Sequence, residues 1–382
     1  MATARARPVR DLRLDFFRGL ALILIFIDHV PGNVLSYFTL RSIAFSDAAE
    51  AFIFISGFAA AMVYGSHLSQ RGFVLATAQI YRRVWQLYVA HVFLFVIFTA
   101  EVSYALSAAD NPLYAEEMGV GDFLNEPHIA IIQALLLRFQ PTFLDILPLY
   151  IVMLLVFPIV LVLIEWNALA VLIPSAALYA VVQRFGWTPH TYPDNHPWFF
   201  NPLAWQFLFI VGAVCGRWRA TERAILPKGK WLRTLAAAIA VFCAVINLSW
   251  LVHWIWDPFP PLLARYLWRF AIDKTNLSPV RLVDFAALAV VAVTVIDRNS
   301  KFLSGPIARP LVLCGQNSLY IFCLGILLAV LGHVVLSEIT DALPMQALVN
   351  AAGIGVMIAM ALLIAWFKEA DRRPATASGP AQ

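Results

Sequence analysis

The stretch Asp15-Phe-Phe-Arg18-Gly-Leu-Ala-Leu-Ile-Leu-Ile-Phe-Ile-Asp28-His29 places ionisable side chains at both ends of an apolar run. A charge inside hydrocarbon costs several kcal/mol, about 2.5–3.5 on the mildest scale, so such groups mark a substrate path or a reactive site unless a pairing accounts for them. On a helix turning about 100° per residue, Asp15, Arg18, Leu22, Ile25 and His29 share one stripe. Arg18 and His29 are separated by roughly 16 Å of axial rise, about half the hydrocarbon thickness. That geometry suits an anionic donor held at Arg18 and a hydroxyl deprotonated at His29, the general base. The structural alternative is an Asp15–Arg18 pair one turn apart and a helix that simply ends at His29, before Pro31.

The next segment begins Ser46-Asp47-Ala-Ala-Glu50 on the side where the first ends. A carboxylate on one imidazole nitrogen fixes the tautomer and raises the basicity of the other, so Asp47 or Glu50 is expected to orient His29. Their spacing also fits a capping box, with acids at the positive end of a helix dipole. Asp28 points about 100° away from His29 and is expected to pair with a neighbouring helix. Ser56-Gly57-Phe58 puts small residues on a bulky helix, a sign of close packing. His91 and Glu101 are weaker candidates for the same cavity. Gly315-Gln316-Asn317-Ser318 sets polar groups inside a later apolar run, where Asn317 and Ser318 either line a donor path or bond between helices.

Two aromatic stretches, one carrying His190, His196 and Trp198 and the other His253 and Trp254, combine flat apolar faces with hydrogen-bonding groups, as a sugar site requires. Trp198, His253 and Trp254 are therefore the candidate acceptor-binding residues, against the rival that such residues form an interfacial aromatic belt. His190 and His196 lack ligand-like spacing, and no metal is expected.

The elements that must hold these residues are membrane helices. The chain has 382 residues, 61% hydrophobic and 13% charged, with mean hydropathy +0.77; soluble chains are about 45–50% apolar and about 25% charged. Apolar runs of spanning length are expected near 16–30, 48–65, 85–107, 144–164, 168–184, 202–216, 234–252, 280–296, 311–336 and 344–367. The fold class is all-α, a polytopic integral membrane protein of about ten transmembrane helices.

Arginines and lysines concentrate in alternate connections, around Arg5 to Arg13, Arg71 to Arg83, Arg217 to Arg233, Arg298 to Arg309 and Lys368 to Arg373. By the positive-inside rule both termini are cytoplasmic. Scattered over short loops, these cations form no groove for nucleic acid. Arg18 interrupts the first run and no small-residue cleavage site follows His29, so that run is expected to be retained. Cys215, Cys243, Cys314 and Cys323 fall within spans without metal or redox spacing. One membrane domain, 1–370, is expected, followed by a disordered cytoplasmic tail, 371–382, too poor in apolar surface to order itself.

Arg10-Asp-Leu-Arg-Leu-Asp15-Phe-Phe-Arg18-Gly, Ile27-Asp28-His29-Val-Pro-Gly-Asn, Thr39-Leu-Arg41, Phe45-Ser-Asp47-Ala-Ala-Glu50 and Ser56-Gly57-Phe58 closely resemble the OpgC family. These are inner-membrane proteins associated with succinylation of osmoregulated periplasmic glucans, similar to the wider family-three membrane acyltransferases. The resemblance implies acyl transfer from cytoplasmic acyl-CoA, succinyl-CoA being favoured, to a hydroxyl of a periplasmic oligo- or polysaccharide. Acyl-CoA would be a co-substrate, no cofactor being bound, and the protein would lie in the bacterial inner membrane. Arg18 and His29 match the Arg, ten residues, His pattern of the wider family's first helix. The sequence departs from that family after the second helix, where Arg83 is followed by Gln86 rather than a second arginine, and near the end, where Ile326 stands at the place of a histidine. The candidate donor-binding residues are accordingly Arg18, Arg82, Arg83, Asn317 and Ser318. Another acyl group or acceptor, or a transporter or flippase of a polar substrate, is the alternative; many transporters carry inverted half-repeats, and none is evident here.

Overall fold

The structure, a computed structural model, describes residues 11–109, 113–193, 195–224, 229–251 and 273–371. It is all-helical among the described residues, and seven helices are long and apolar enough to cross a membrane: Ala48–Arg71, Phe73–Ala108, Ile146–Trp166, Ala168–Phe185, Lys230–Ser249, Ser318–Glu338 and Leu343–Ala370. The chain is a membrane protein. The three other expected spans are also helices, Leu12–His29, Pro202–Ala220 and Pro279–Val295, but their charges or length keep them out of that set. His253 and Trp254, the basic residues before Asp11, and the expected tail from 372 onward lie outside the described residues.

Helix α1 (Leu12–His29) is capped by Asp11, whose side chain accepts from the Arg13 amide. It stops where Pro31 and Gly32 (φ 68°) cannot continue it, and Asn33 folds back to donate to the Ile27 carbonyl at 3.0 Å. His29 is thereby fixed in the last turn. After the short α2 (Leu40–Ile43), α3 runs from Ala48 to Ala109 with one break at Gly72 (φ 81°, ψ 174°). A basic loop is expected around Arg71 to Arg83, but helix continues to either side of a single glycine. Glycine alone adopts that dihedral cheaply, and the good helix formers around it extend both spans.

Short helices α4 (Leu113–Glu117), α5 (Gly121–Asn125) and α6 (Pro127–Leu135) lead to α7 (Ile146–Trp166) and α8 (Ala168–Phe185). Then come α9 (Pro202–Ala220), α10 (Lys230–Leu251), α11 (Pro279–Val295), α12 (Ala308–Gln316), α13 (Ser318–Glu338) and α14 (Leu343–Ala370).

Glycines set two of the closest helix contacts. A Cβ at Gly19 would strike the Leu311 carbonyl, and one at Gly315 the Asp15 carbonyl, so α1 and α12 run antiparallel with backbones touching. Gly57 meets the Phe209 backbone, and Gly212 and Gly216 meet those of Phe54 and Phe58, pressing α3 against α9. The close packing expected of Gly57 is thus observed, through the small-residue mechanism by which helices associate where apolar burial offers no drive. Phe26, Ile53, Phe98, Phe157, Trp205 and Phe209 fill the interior behind these contacts.

The C-terminus of α1 and the N-termini of α3, α7, α9 and α11 gather at one end of the bundle, as the contacts among His29, Phe143, Glu50, Lys274, Trp205 and Arg281 show.

Candidate active site

At that end lies a cavity of about 920 Å³, lined by His29 and Asp28 of α1, Arg41, Asp47, Asp145, Lys274 and Arg281, with Phe143, Phe199 and Phe200 among its apolar walls. The His29 ring stacks on Phe143, centroids 4.2 Å apart and planes inclined 28°. Its Nδ1 is buried without a hydrogen-bond partner among the described residues. Phe143 holds φ 72°, a left-handed conformation costing an aromatic residue about 1–3 kcal/mol and concentrated at functional sites. An imidazole held by stacking on the wall of a large cavity is placed to take a proton from a ligand hydroxyl.

Asp47 and Glu50 stand beside this cavity, but their partners are not His29. Arg281 Nε donates to Glu50 Oε1 at 2.6 Å and Nη2 to Asp47 Oδ2 at 3.2 Å, while Lys274 Nζ lies 2.7 Å from Asp47 Oδ2. The capping box forms as well: the Asp47 amide donates to Glu50 Oε2 at 2.9 Å, and Asp47 Oδ1 accepts from the Ala49 amide at 2.8 Å. Burial pushes the Asp47 carboxyl up, but Lys274 and Arg281 outweigh it and hold the group below its ordinary 3.8. Both carboxylates thus anchor an ion cluster; no hydrogen bond joins either to His29 among the described residues.

Lys274 is aimed by its own loop. Asp273 accepts from the Asn276 amide at 3.0 Å, and Trp205 Nε1 donates to the Lys274 carbonyl at 3.0 Å. The ammonium lies over the rings of Phe199 and Phe200, 5.6 and 5.3 Å from their centroids. Asp284 accepts from both the amide and hydroxyl of Ser46, at 2.8 and 2.7 Å, tying α11 to the start of α3.

A second cavity, about 130 Å³, lies toward the other end of α1 and is lined by Arg18, Ser56, Tyr64, Arg83, Tyr150 and Ser318 among others. Arg18 donates to the Ile55 carbonyl at 3.1 Å. Three of the expected donor-side residues, Arg18, Arg83 and Ser318, therefore meet. Arg82 points outward and is exposed. Asn317 is engaged by Lys368 and the Leu313 carbonyl, and Gln316 donates to Asp15 at 3.4 Å, so these two act between helices.

Other expectations are redistributed. Asp28 accepts from Thr39 at 2.6 Å, in the segment just after α1 rather than on a neighbouring helix. Trp198 is buried and outside the cavity lining, and the adjacent Phe199 and Phe200 face the space instead. His91 lines a separate apolar cavity of about 360 Å³ that Glu101 does not share. All four cysteines are free.

Sequence reasoning missed Arg281, Lys274, Asp145 and Phe143 as site residues. One signal was readable: Arg281 sits in the first turn of its helix, where the dipole disfavours a cation, on the basic-poor side of the membrane. A cation placed against both tendencies calls for a carboxylate partner.

A helical membrane protein with an ionisable cavity at each end of its first helix is the class these features define. The family model described as OpgC protein matches residues 10–369, nearly the whole chain, and the chain belongs to that family. Membership implies a transferase. None of the curated proteins and none of the solved structures matches the chain.

Proposed function

We propose that the protein is a multi-pass O-acyltransferase of the bacterial inner membrane, moving a succinyl group from cytoplasmic succinyl-CoA to a hydroxyl of a periplasmic glucan. Both termini are cytoplasmic in this reading, and about ten helices span the bilayer. The observation that carries it is that one helix, α1, presents His29 to a large cavity at one end and Arg18, with Arg83, to a smaller one at the other. The larger, about 920 Å³, has the size of a ligand site and aromatic walls suited to sugar rings. The smaller offers two guanidinium groups to the anionic parts of a coenzyme thioester.

In this mechanism His29 takes the proton of the acceptor hydroxyl as its oxygen attacks the thioester carbonyl carbon. The C–O bond forms, the C–S bond breaks, and the proton passes from imidazolium to the departing thiolate. Lys274 and Arg281 supply positive potential for the oxyanion, tempered by Asp47 and Glu50.

The test is incorporation of labelled succinyl into periplasmic glucan by cells carrying wild type or His29→Ala at matched membrane levels. General-base loss lowers the rate about 10²–10⁴-fold. Equal incorporation by both proteins would remove His29 from the chemistry, and none by either would favour another acyl group or transport.

A further inference from the structure

Among the described residues the two cavities share one lining residue, Phe322. On α3 and α7 the division falls within three residues, and on α1 within seven. On α3, Ala48 and Ala49 line the larger cavity and Phe52 the smaller; on α7 the change comes between Ile146 and Leu147; on α1 Ile25 faces the larger and Arg18 the smaller. Leu22, between these last two on the same stripe, lines neither and is 1% exposed. What separates the spaces is therefore at most about one helical turn thick, roughly 5 Å, along α3 and α7, and about two turns, roughly 10 Å, along α1. It is built of side chains, with the Phe52 and Phe322 rings 6.3 Å apart and inclined 31°.

We infer that Phe322 is the movable partition between the two cavities, and that the acyl end of the donor passes it to reach His29. The inference rests on the acyl-transfer reading for what passes, but not for where the partition stands. A phenylalanine suits that role, since rotation about two side-chain torsions opens or closes the gap without moving a helix. Backbone displacement is resisted by the glycine contacts that hold α1 to α12. Phe322 would be a positioning residue, since it meets the passing chain and leaves proton transfer to His29.

The experiment is sided thiol labelling in membrane vesicles of both orientations, starting from the full chain with its four cysteines replaced by serine or alanine. With Phe52 and Phe322 intact, Ser56→Cys, in the smaller cavity alone, reacts with a charged, membrane-impermeant methanethiosulfonate reagent from the Arg18 side only, and Ile25→Cys from the His29 side only. Adding Phe322→Ala to Ser56→Cys is expected to raise labelling from the His29 side at least tenfold. Should Phe322→Ala fail to reach the membrane, Phe322→Val serves the same comparison. Labelling of Ser56→Cys from both sides before the change, or unchanged sidedness after it, would overturn the partition.

Succinyl incorporation is measured in parallel on Phe322→Trp, expected to slow transfer at least tenfold at matched membrane levels. Full activity in Phe322→Trp would remove the partition from the acyl path. Correct sidedness in a chain that incorporates no acyl group even as wild type would instead sink the acyl-transfer reading and leave the partition standing.

Discussion

Arg281 is the residue whose loss the ion cluster can least absorb. Glu50 is 0% exposed and Arg281 only 5%, and the guanidinium holds Glu50 at 2.6 Å and Asp47 at 3.2 Å. In Arg281→Gln, Asp47 keeps Lys274 at 2.7 Å, whereas Glu50, among the described residues, keeps only the Asp47 amide at 2.9 Å. Removing one partner from a buried pair costs about 3–5 kcal/mol, chiefly because the remaining charge is left desolvated. Glu50→Gln behaves differently. A glutamine still accepts the capping bond from Asp47, Arg281 still pairs with Asp47, and the repulsion between two adjacent carboxylates disappears, so the expected cost is about 1 kcal/mol. The double variant removes cation and anion together and should cost about 1–2 kcal/mol, leaving a coupling of about 2–5 kcal/mol between the positions. The assay is reversible unfolding of the four purified proteins in one detergent, with circular dichroism confirming helical content. Additive single effects, with coupling under about 0.5 kcal/mol, would refute the reasoning; so would a Glu50→Gln cost as large as that of Arg281→Gln.

Gly315→Ala drives a methyl group into the Asp15 carbonyl, and overpacking of this kind is expected to cost about 1–3 kcal/mol, read as a lower midpoint in the same unfolding assay, while Gly355→Ala, inside α14 where a Cβ meets nothing within 4 Å, does not lower it and by helix propensity raises it slightly. Asp47 titrates below its ordinary 3.8, so its stabilisation is present above that value and is lost only as pH falls through the lower folded-state value. The stability gap between wild type and Asp47→Asn should accordingly persist from neutral pH down to 3.8; a gap that closed well above that pH would show that Asp47 is not held in its charged form.

Local periodicity made the first helix legible. The stripe from Asp15 to His29 follows from helical geometry alone, and the structure places Arg18 and His29 in separate cavities. The capping box of Asp47 and Glu50 was equally local and forms as read. Their engagement with Arg281 spans 231 residues of sequence, and no spacing rule reaches that far. Aromatic residues were harder still. With 28 phenylalanines in the chain, nothing in composition sets apart Phe143, which stacks on His29, or Phe322, which both cavities share. The helices were found by their apolarity, but the join at Gly72 was not, because helix propensity carries the chain past the bilayer where charge had suggested a loop. Trp198 shows the limit of residue type as a guide: the aromatic segment does border the cavity, but neighbouring phenylalanines present its face.

The meeting of α1 and α12 through Gly19 and Gly315 has a mechanical consequence. Where two backbones touch without intervening side chains, neither helix can slide or roll without the other, so the element carrying both Arg18 and His29 behaves as a clamped beam. A machine that rocks one half of its bundle against the other needs a lubricated seam, and here the seam is locked along the helix that would have to travel. On the acyl-transfer reading, cargo and side chains then do the moving relative to this pair of helices, and the span between Arg18 and His29, both on α1, keeps its length.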